Sequence, residues 1–325
     1  MTFQSLTRKM LLSIGLGILV VFVLSFSSDA PRLVRVLERF EWKLLPVILS
    51  LTLVNYLLRF VKWHYYLHVV GITGVALDQS AMIFVAGLSM AITPAKVGEL
   101  LKSYLLRHYR RTPIGTSAPI IVAERLTDGA AMIILASAGI VIYGVGWQAL
   151  IPIGVGMIGV VLLSQNRTVT RWGFQLAEKV PFVSSRVHHL EQAAASAQEL
   201  FRARNLVLAI GIGVISWGSE SAAFYLVLTA LGMPPHLLLA VQAAFILAVA
   251  SLVGAASMLP GGLAAAEGSL AGLLLLLGVT HDPSVAAAAT LIIRFATLWF
   301  GVAVGMVGLF ISSSQLRGVD LAANA

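Results

Sequence analysis

Six ionisable side chains stand in the two apolar runs that flank the basic turn at 107–111: Lys96, Glu99, Lys102, Glu124, Arg125 and Asp128. Lysine and arginine at such depth can hold a phosphate, arginine better because its planar fork donates two parallel hydrogen bonds. Carboxylates beside them can neutralise them, orient them or carry protons. Each ionised group in hydrocarbon costs about 2.5–3.5 kcal/mol even on the lenient insertion scale, so a chain that keeps six so close together is using them. Glu220, Glu267 and Arg294 extend the set to nine, with four cations and five carboxylates. Two readings stay open. The nine line a polar pathway, or they are internal staples in which Lys96 with Glu99, Glu99 with Lys102, and Glu124 or Asp128 with Arg125 neutralise one another.

The same residues do not point to an enzyme. Ser89, Ser103, Ser257 and Thr93 have no histidine at the spacing of a nucleophile and its base, and the chain has no cysteine. Acidic clusters without histidine or a D-x-D pattern make only a weak cation site. His64 and His68 lie one helical turn apart, but no acidic residue accompanies them, and they read as an interfacial pair rather than metal ligands. No catalytic residue, metal or cofactor is assigned. A membrane enzyme of phospholipid or lipid-linked sugar metabolism is the alternative, and a non-transporting membrane scaffold is the third class.

The elements that position these groups follow from composition. With 58% hydrophobic and 11% charged residues in 325, the chain lies far from the roughly 25% charge of a soluble domain. It reads as an all-α, polytopic integral membrane protein. Met10–Phe26 is free of charge after Arg8 and Lys9 and has no clear cleavage site beyond it, so it reads as a retained first helix. Residues 27–43 read as a charged connector with Leu33, Val36, Leu37 and Phe40 on one face. The second span runs from about Leu44 to Leu58 and ends in an interfacial anchor of Arg59, Lys62, Trp63, Tyr65 and Tyr66.

Two later runs are interrupted. At Thr93-Pro94 the residue before proline is pushed out of helical geometry, with Gly98 shortly after, and the stretch from Lys96 to Arg107 is too short to cross ~30 Å of hydrocarbon. Pro260, Gly261 and Gly262 interrupt the second run. Each reads as a helical hairpin, and non-helical backbone at depth needs a polar interior. Gly98, Gly261 and Gly262 would let the backbone approach a head group, or simply make turns. Full spans fill the rest: a helix from Pro113, a second after a turn near 144–152, one at Asn205–Leu231 and one from Pro283, six in all. The chain reads as a single unit 1–325, with halves at about 44–165 and 205–312 joined by a solvated, basic linker at 166–204.

SMAITPAKVGE, Pro113 and Glu124-Arg125 of the first half answer to SMLPGGLAAAE, Pro283 and Arg294 of the second, with 12 residues from Pro113 to Arg125 and 11 from Pro283 to Arg294. This is read as an inverted repeat, the plan of alternating-access carriers. With the N-terminus cytoplasmic, 14 lysines and arginines fall in inner loops and 4 outside, a bias that places both termini in the cytoplasm. The net charge of +8 is thereby explained by topology, without nucleic acid.

T-P-x-K-x-G-E-x-x-K at Thr93–Lys102, E-R-x-x-D at Glu124–Asp128 and P-G-G-x-x-x-x-E at Pro260–Glu267 resemble the flippase-like membrane region of lysylphosphatidylglycerol synthases. The resemblance covers nearly the whole chain. It implies two interrupted hairpins in the cytoplasmic membrane and a role in moving or handling a polar-headgroup lipid, with an anionic phosphate as the expected partner. It further implies a stand-alone member, without the aminoacyl-transferase domain that makes aminoacylated lipid. The expectation for the site is that both breaks adjoin and that Lys96, Lys102, Arg125 and Arg294 face one cavity, shaped by Glu99, Glu124 and Glu267. Glu220 and Glu267, with no basic neighbour within a turn, are the candidates for proton uptake. Sequence says nothing of the oligomeric state.

Overall fold

The computed structural model describes residues 30–144, 147–166, 168–170 and 187–323. The expected first helix at Met10–Phe26 and positions 171–186 of the expected linker lie outside these residues. In chain order the helices are α1 (Ala30–Glu38), α2 (Leu45–Val69), α3 (Leu77–Leu88), α4 (Leu101–Arg110), α5 (Ile114–Tyr143), α6 (Trp147–Gln165), α7 (Val187–Leu200), α8 (Ala203–Ala230), α9 (Leu237–Ala256), α10 (Ala265–Leu276), α11 (Pro283–Arg294) and α12 (Phe300–Ala323). Short 3-10 turns at Pro94–Leu100 and Pro260–Gly262 carry the two breaks, and a π-turn at Phe295–Trp299 joins α11 to α12.

Helix boundaries follow local chemistry. Pro46 sits in the first turn of α2, where its missing N–H costs nothing. Gly144, at φ 64°, supplies the left-handed residue that ends α5. Asp282 accepts from the Ser284 amide at 2.9 Å and starts α11 ahead of Pro283.

Five segments are long and apolar enough to cross a bilayer: Trp42–Val69, Ile114–Tyr143, Ala203–Ala230, Leu237–Ala256 and Pro283–Ile311. Leu77–Leu88, Leu150–Gln165 and Pro260–Leu276 are shorter apolar helices. The chain is a multi-pass membrane protein with two interrupted segments, but these segments are unequal. Around the first break α3 has 12 residues and α4 has 10, each about half of a ~30 Å core at ~1.5 Å per residue. Beside the second break α9 has 20 residues and is itself of spanning length, whereas the sequence suggests two half-length arms.

Packing follows the repeat. α2 lies along α8; α5 packs on α9 and, in the exchanged positions, α12 packs on α3; the two 3-10 turns pack on each other. Asn55 and Ser216 mark the α2–α8 seam by exchanging bonds: the Asn55 amide donates to the Ser216 carbonyl at 3.0 Å, and the Ser216 hydroxyl donates to the Asn55 carbonyl at 3.2 Å. Hydrocarbon offers no hydrophobic drive between helices, so small residues must bring backbones close. At Gly305 a side chain would run into the backbone of Ser89, and at Gly139 into the Phe245 ring.

The connector ahead of α2 behaves as its pattern suggests. Leu33 and Phe40 are buried, and Leu33 packs against Ala287 and Ala288 of α11, beside an Arg32–Asp282 ion pair at 2.7 Å. Part of the expected solvated linker is docked, since α7 packs along α5 with Ser196 and Leu200 buried.

Candidate functional site

The site begins on α2, where the sequence misleads. Instead of an interfacial anchor, α2 runs unbroken to Val69, and Lys62, Trp63 and Tyr66 are fully buried. At this level α2 faces α5 and α8 rather than headgroups, and the Lys62 ammonium is bonded to Asp128 Oδ1 and, at 3.3 Å, to Thr127 Oγ1. A signal was present. Thr52, Asn55, Arg59 and Lys62 recur at the spacing of one helix face, a polar stripe rather than a ring of anchors.

Asp128 gathers three cations. Besides Lys62, Arg125 Nη2 lies 3.3 Å and Arg59 Nε 3.8 Å from its Oδ2. Arg125 also reaches Glu99 Oε2 at 3.5 Å. None of these contacts gives Arg125 Nε or Nη2 a hydrogen bond of good geometry among the described residues. Lys102 goes elsewhere: its Nζ donates to Glu124 Oε2 at 2.5 Å and sits 4.5 Å from the Trp63 ring centroid, a desolvated cation–π contact. Lys102 thus pairs with Glu124 rather than with Glu99, and the expected Lys96–Glu99 pair falls on a Lys96 side chain outside the described residues.

In the second half Arg294 is clamped at two points. Nε donates to Glu267 Oε1 at 2.6 Å and Nη2 to the Gly261 carbonyl at 2.7 Å. Glu267 therefore has a basic partner that its sequence neighbours do not supply, which removes the ground for treating it as an isolated proton carrier. Glu99–Arg125 and Glu267–Arg294 occupy corresponding places in the two repeats. Just beyond Arg294, Tyr56 Oη donates to the Thr297 carbonyl inside the π-turn at 2.5 Å.

Both breaks are built for close approach. Thr93 Oγ1 accepts from the Gly98 amide at 2.8 Å and donates to the Met90 carbonyl at 2.7 Å, folding the T-P-x-x-x-G loop on itself. The second break carries left-handed residues at Met258, Gly261, Gly262 and Ala264, two of them non-glycine, the backbone strain that gathers at working sites. A Cβ at Gly261 would lie 3.6 Å from Ile92 Cα, so the two breaks adjoin.

A cavity of about 420 Å³ lies between the halves. Arg59, Arg125 and Arg294 line it with Asp128, Glu220 and Tyr56, while Met132, Ile153, Met157, Leu247, Leu252 and Leu270 form apolar wall. Of the four cations expected here, Arg125 and Arg294 line it, Lys102 does not, and Arg59 is an addition. Glu99 and Glu267 stand behind the arginines they pair with, and Glu124 stands behind Lys102.

His64 and His68 do not converge on a metal position. His64 Nδ1 is 2.9 Å from Ser80 Oγ and His68 Nδ1 is 2.9 Å from the His64 carbonyl. No group of three or more metal-ligating side chains occurs among the described residues.

With this geometry in place, the comparison with known proteins is decisive at the family level: the family model described as the lysylphosphatidylglycerol synthase TM region matches residues 10–305. The chain belongs to this family. A relative described as a UPF0104 membrane protein, from Methanothermobacter thermautotrophicus (strain Delta H), is 29% identical over 236 residues, covering 65% of this chain and 68% of the relative. In this member of the lysylphosphatidylglycerol synthase TM family, the E-R-x-x-D and P-G-G-x-x-x-x-E motifs supply residues that line the cavity, and the T-P-x-K-x-G-E-x-x-K motif reaches it through the Glu99–Arg125 pair.

Proposed function

We propose that this protein moves or handles a lipid whose head group carries an anionic phosphate, in the cytoplasmic membrane, with both termini on the cytoplasmic side. The observation that carries the reading is the grouping of Arg59, Arg125 and Arg294 in one cavity whose remaining wall is largely apolar. A phosphate needs charged donors to leave water, and an acyl chain needs none; the cavity offers both environments side by side. Among the described residues Arg125 Nη2 is held only by the longer ion pairs to Asp128 and Glu99, at 3.3 and 3.5 Å, contacts that a phosphate oxygen can compete with. Asp128 and Glu220 keep the lining near charge balance and so make release possible as well as capture. The Lys62–Asp128 and Lys102–Glu124 pairs, fully buried and closely matched, act as staples that hold α2, α4 and α5 in place around it.

The test is leaflet exchange. Purified protein is reconstituted in phospholipid vesicles with a fluorescent phospholipid, and the outer-leaflet label is quenched. Exchange should exceed that of protein-free vesicles, and Arg125→Ala and Arg294→Ala should lower it about tenfold while leaving folded yield within about twofold, a tenfold effect being ~1.4 kcal/mol. Wild-type exchange in both variants, or none above protein-free vesicles in the parent, defeats the reading.

A further inference from the structure

The cavity does not end at its arginines. On α5 the lining passes from Arg125 and Asp128 through Gly129 to Met132, so within about two turns one helix face changes from charge to thioether. α9 continues the apolar wall with Leu247 and Leu252, and α6 closes it with Ile153 and Met157, one turn apart.

α6 is an unusual wall. Among its described side chains only Leu150 is buried, whereas α9 is buried along most of its length. A side chain at Gly156 or Gly159 would meet nothing within 4 Å, and one at Gly154 would meet only Ile133, at 3.6 Å. The Met157 thioether lies across Gly129, where a Cβ would come within 3.0 Å of its terminal methyl. Methionine has an unbranched side chain with several rotatable bonds and adapts readily to irregular space. An apolar ligand can displace it without opening a polar contact.

From this we infer that the apolar end of the cavity is a hydrocarbon-chain subsite, entered sideways between α6 and the α5–α9 pair, with Met157 as its displaceable plug. The inference rests on the proposed function and deepens it. Its occupant is one chain of the lipid whose phosphate meets the arginines. Continuity of the two linings in one cavity selects that occupant over a free apolar molecule, which would have no use for the guanidinium end. The loose seating of α6 supplies the route, because a chain sliding in from the bilayer needs helices to part without breaking hydrogen bonds.

Two measurements test it. A phospholipid with a photoactivatable group midway along one chain is incorporated with the wild-type protein, irradiated and mapped by peptide mass spectrometry. Labelling is expected at Ile153, Met157 or Leu247, reduced at least fivefold by excess unlabelled phospholipid. Separately, Ile133→Cys with Gly154→Cys, in this cysteine-free chain, allows α6 to be tied to α5 by a short, reducible thiol cross-linker. The tie should cut both cavity labelling and lipid exchange at least tenfold, and a reductant should restore them.

Labelling confined to the outer face of α6, at Val155, Ile158 or Leu162, without competition, overturns the subsite; so does unchanged exchange after complete cross-linking. If α6 is covered by a second copy of the chain, intermolecular cross-links through the thiol introduced by Gly154→Cys appear instead, which also overturns it. Competed labelling at Met157 in a protein that exchanges no lipid supports the subsite and removes the transport reading. Exchange without cavity labelling does the reverse.

Discussion

Arg294 shows how much depends on the shape of one side chain. Its two nitrogens reach a carboxylate and a backbone carbonyl at once, and an ammonium, a compact point charge, cannot reproduce that fork. Arg294→Lys is expected to lower lipid exchange about tenfold, ~1.4 kcal/mol, in vesicles where folded yield is unchanged. The buried pairs answer differently. Lys102→Met alone should destabilise by about 3–5 kcal/mol because Glu124 is left charged in a dry interior, whereas Lys102→Met with Glu124→Leu should recover most of the loss; thermal unfolding in detergent measures both. All nine ionisable residues were visible in the sequence as costly placements. Asp128 as a partner of Arg125 was visible too; the partners of Lys102 and Arg294 were not, because nearest neighbours in the chain suggest Glu99 for Lys102, while the fold supplies Glu124 from the next helix. Arg59 and Lys62 were misread for a related reason: basic and aromatic residues near the end of an apolar run look alike whether they meet water or a buried Asp128.

The breaks and the helix contacts belong to the scale of elements. Thr93-Pro94 and Pro260-Gly-Gly announce their interruptions through local sterics, so both were legible. The spanning length of α9 was not, since an uncharged alanine-rich run reads the same as an arm that turns back or as a helix that crosses. Close approach was also hidden, because a glycine matters only by what lies opposite it. A Cβ at Gly305 would overlap the Ser89 backbone, which cannot retreat as a side-chain tip can. Gly305→Ala should therefore push α12 off α3 and destabilise by about 1–3 kcal/mol, seen as a lower unfolding temperature. Gly156→Ala, on the open face of α6, should have no such effect. Thr93→Ala removes the acceptor for the Gly98 amide and should cost about 1 kcal/mol in the same assay.

At the scale of the whole molecule, topology is the first thing to measure. Moving Arg59 and Lys62 into the α2 interior lowers the inner-loop cations from 14 to 12 against 4 outside, so the bias keeps its sign. A single cysteine at position 185 should react with an impermeant thiol reagent only from the cytoplasmic side; reaction only from outside would reverse the orientation. The repeat was legible as two motifs and two proline-to-arginine spacings, and the exchanged packing of α5 on α9 and α12 on α3 follows the same correspondence. What the motifs could not reveal is that the corresponding arginines are held unequally, Arg294 at two points below 3 Å and Arg125 shared at 3.3 and 3.5 Å between two carboxylates. Two identical halves would make inward-facing and outward-facing arrangements degenerate, each half populated. Unequal clamps lift that degeneracy, and every 1.4 kcal/mol of the gap is tenfold in population. For a passive carrier of lipid the final distribution between leaflets is untouched by such a gap, since a catalyst cannot move an equilibrium. The approach to it is not: for such a carrier half-saturation should come at different lipid fractions in the two leaflets, leaving it neutral in outcome but directional in how readily it is engaged.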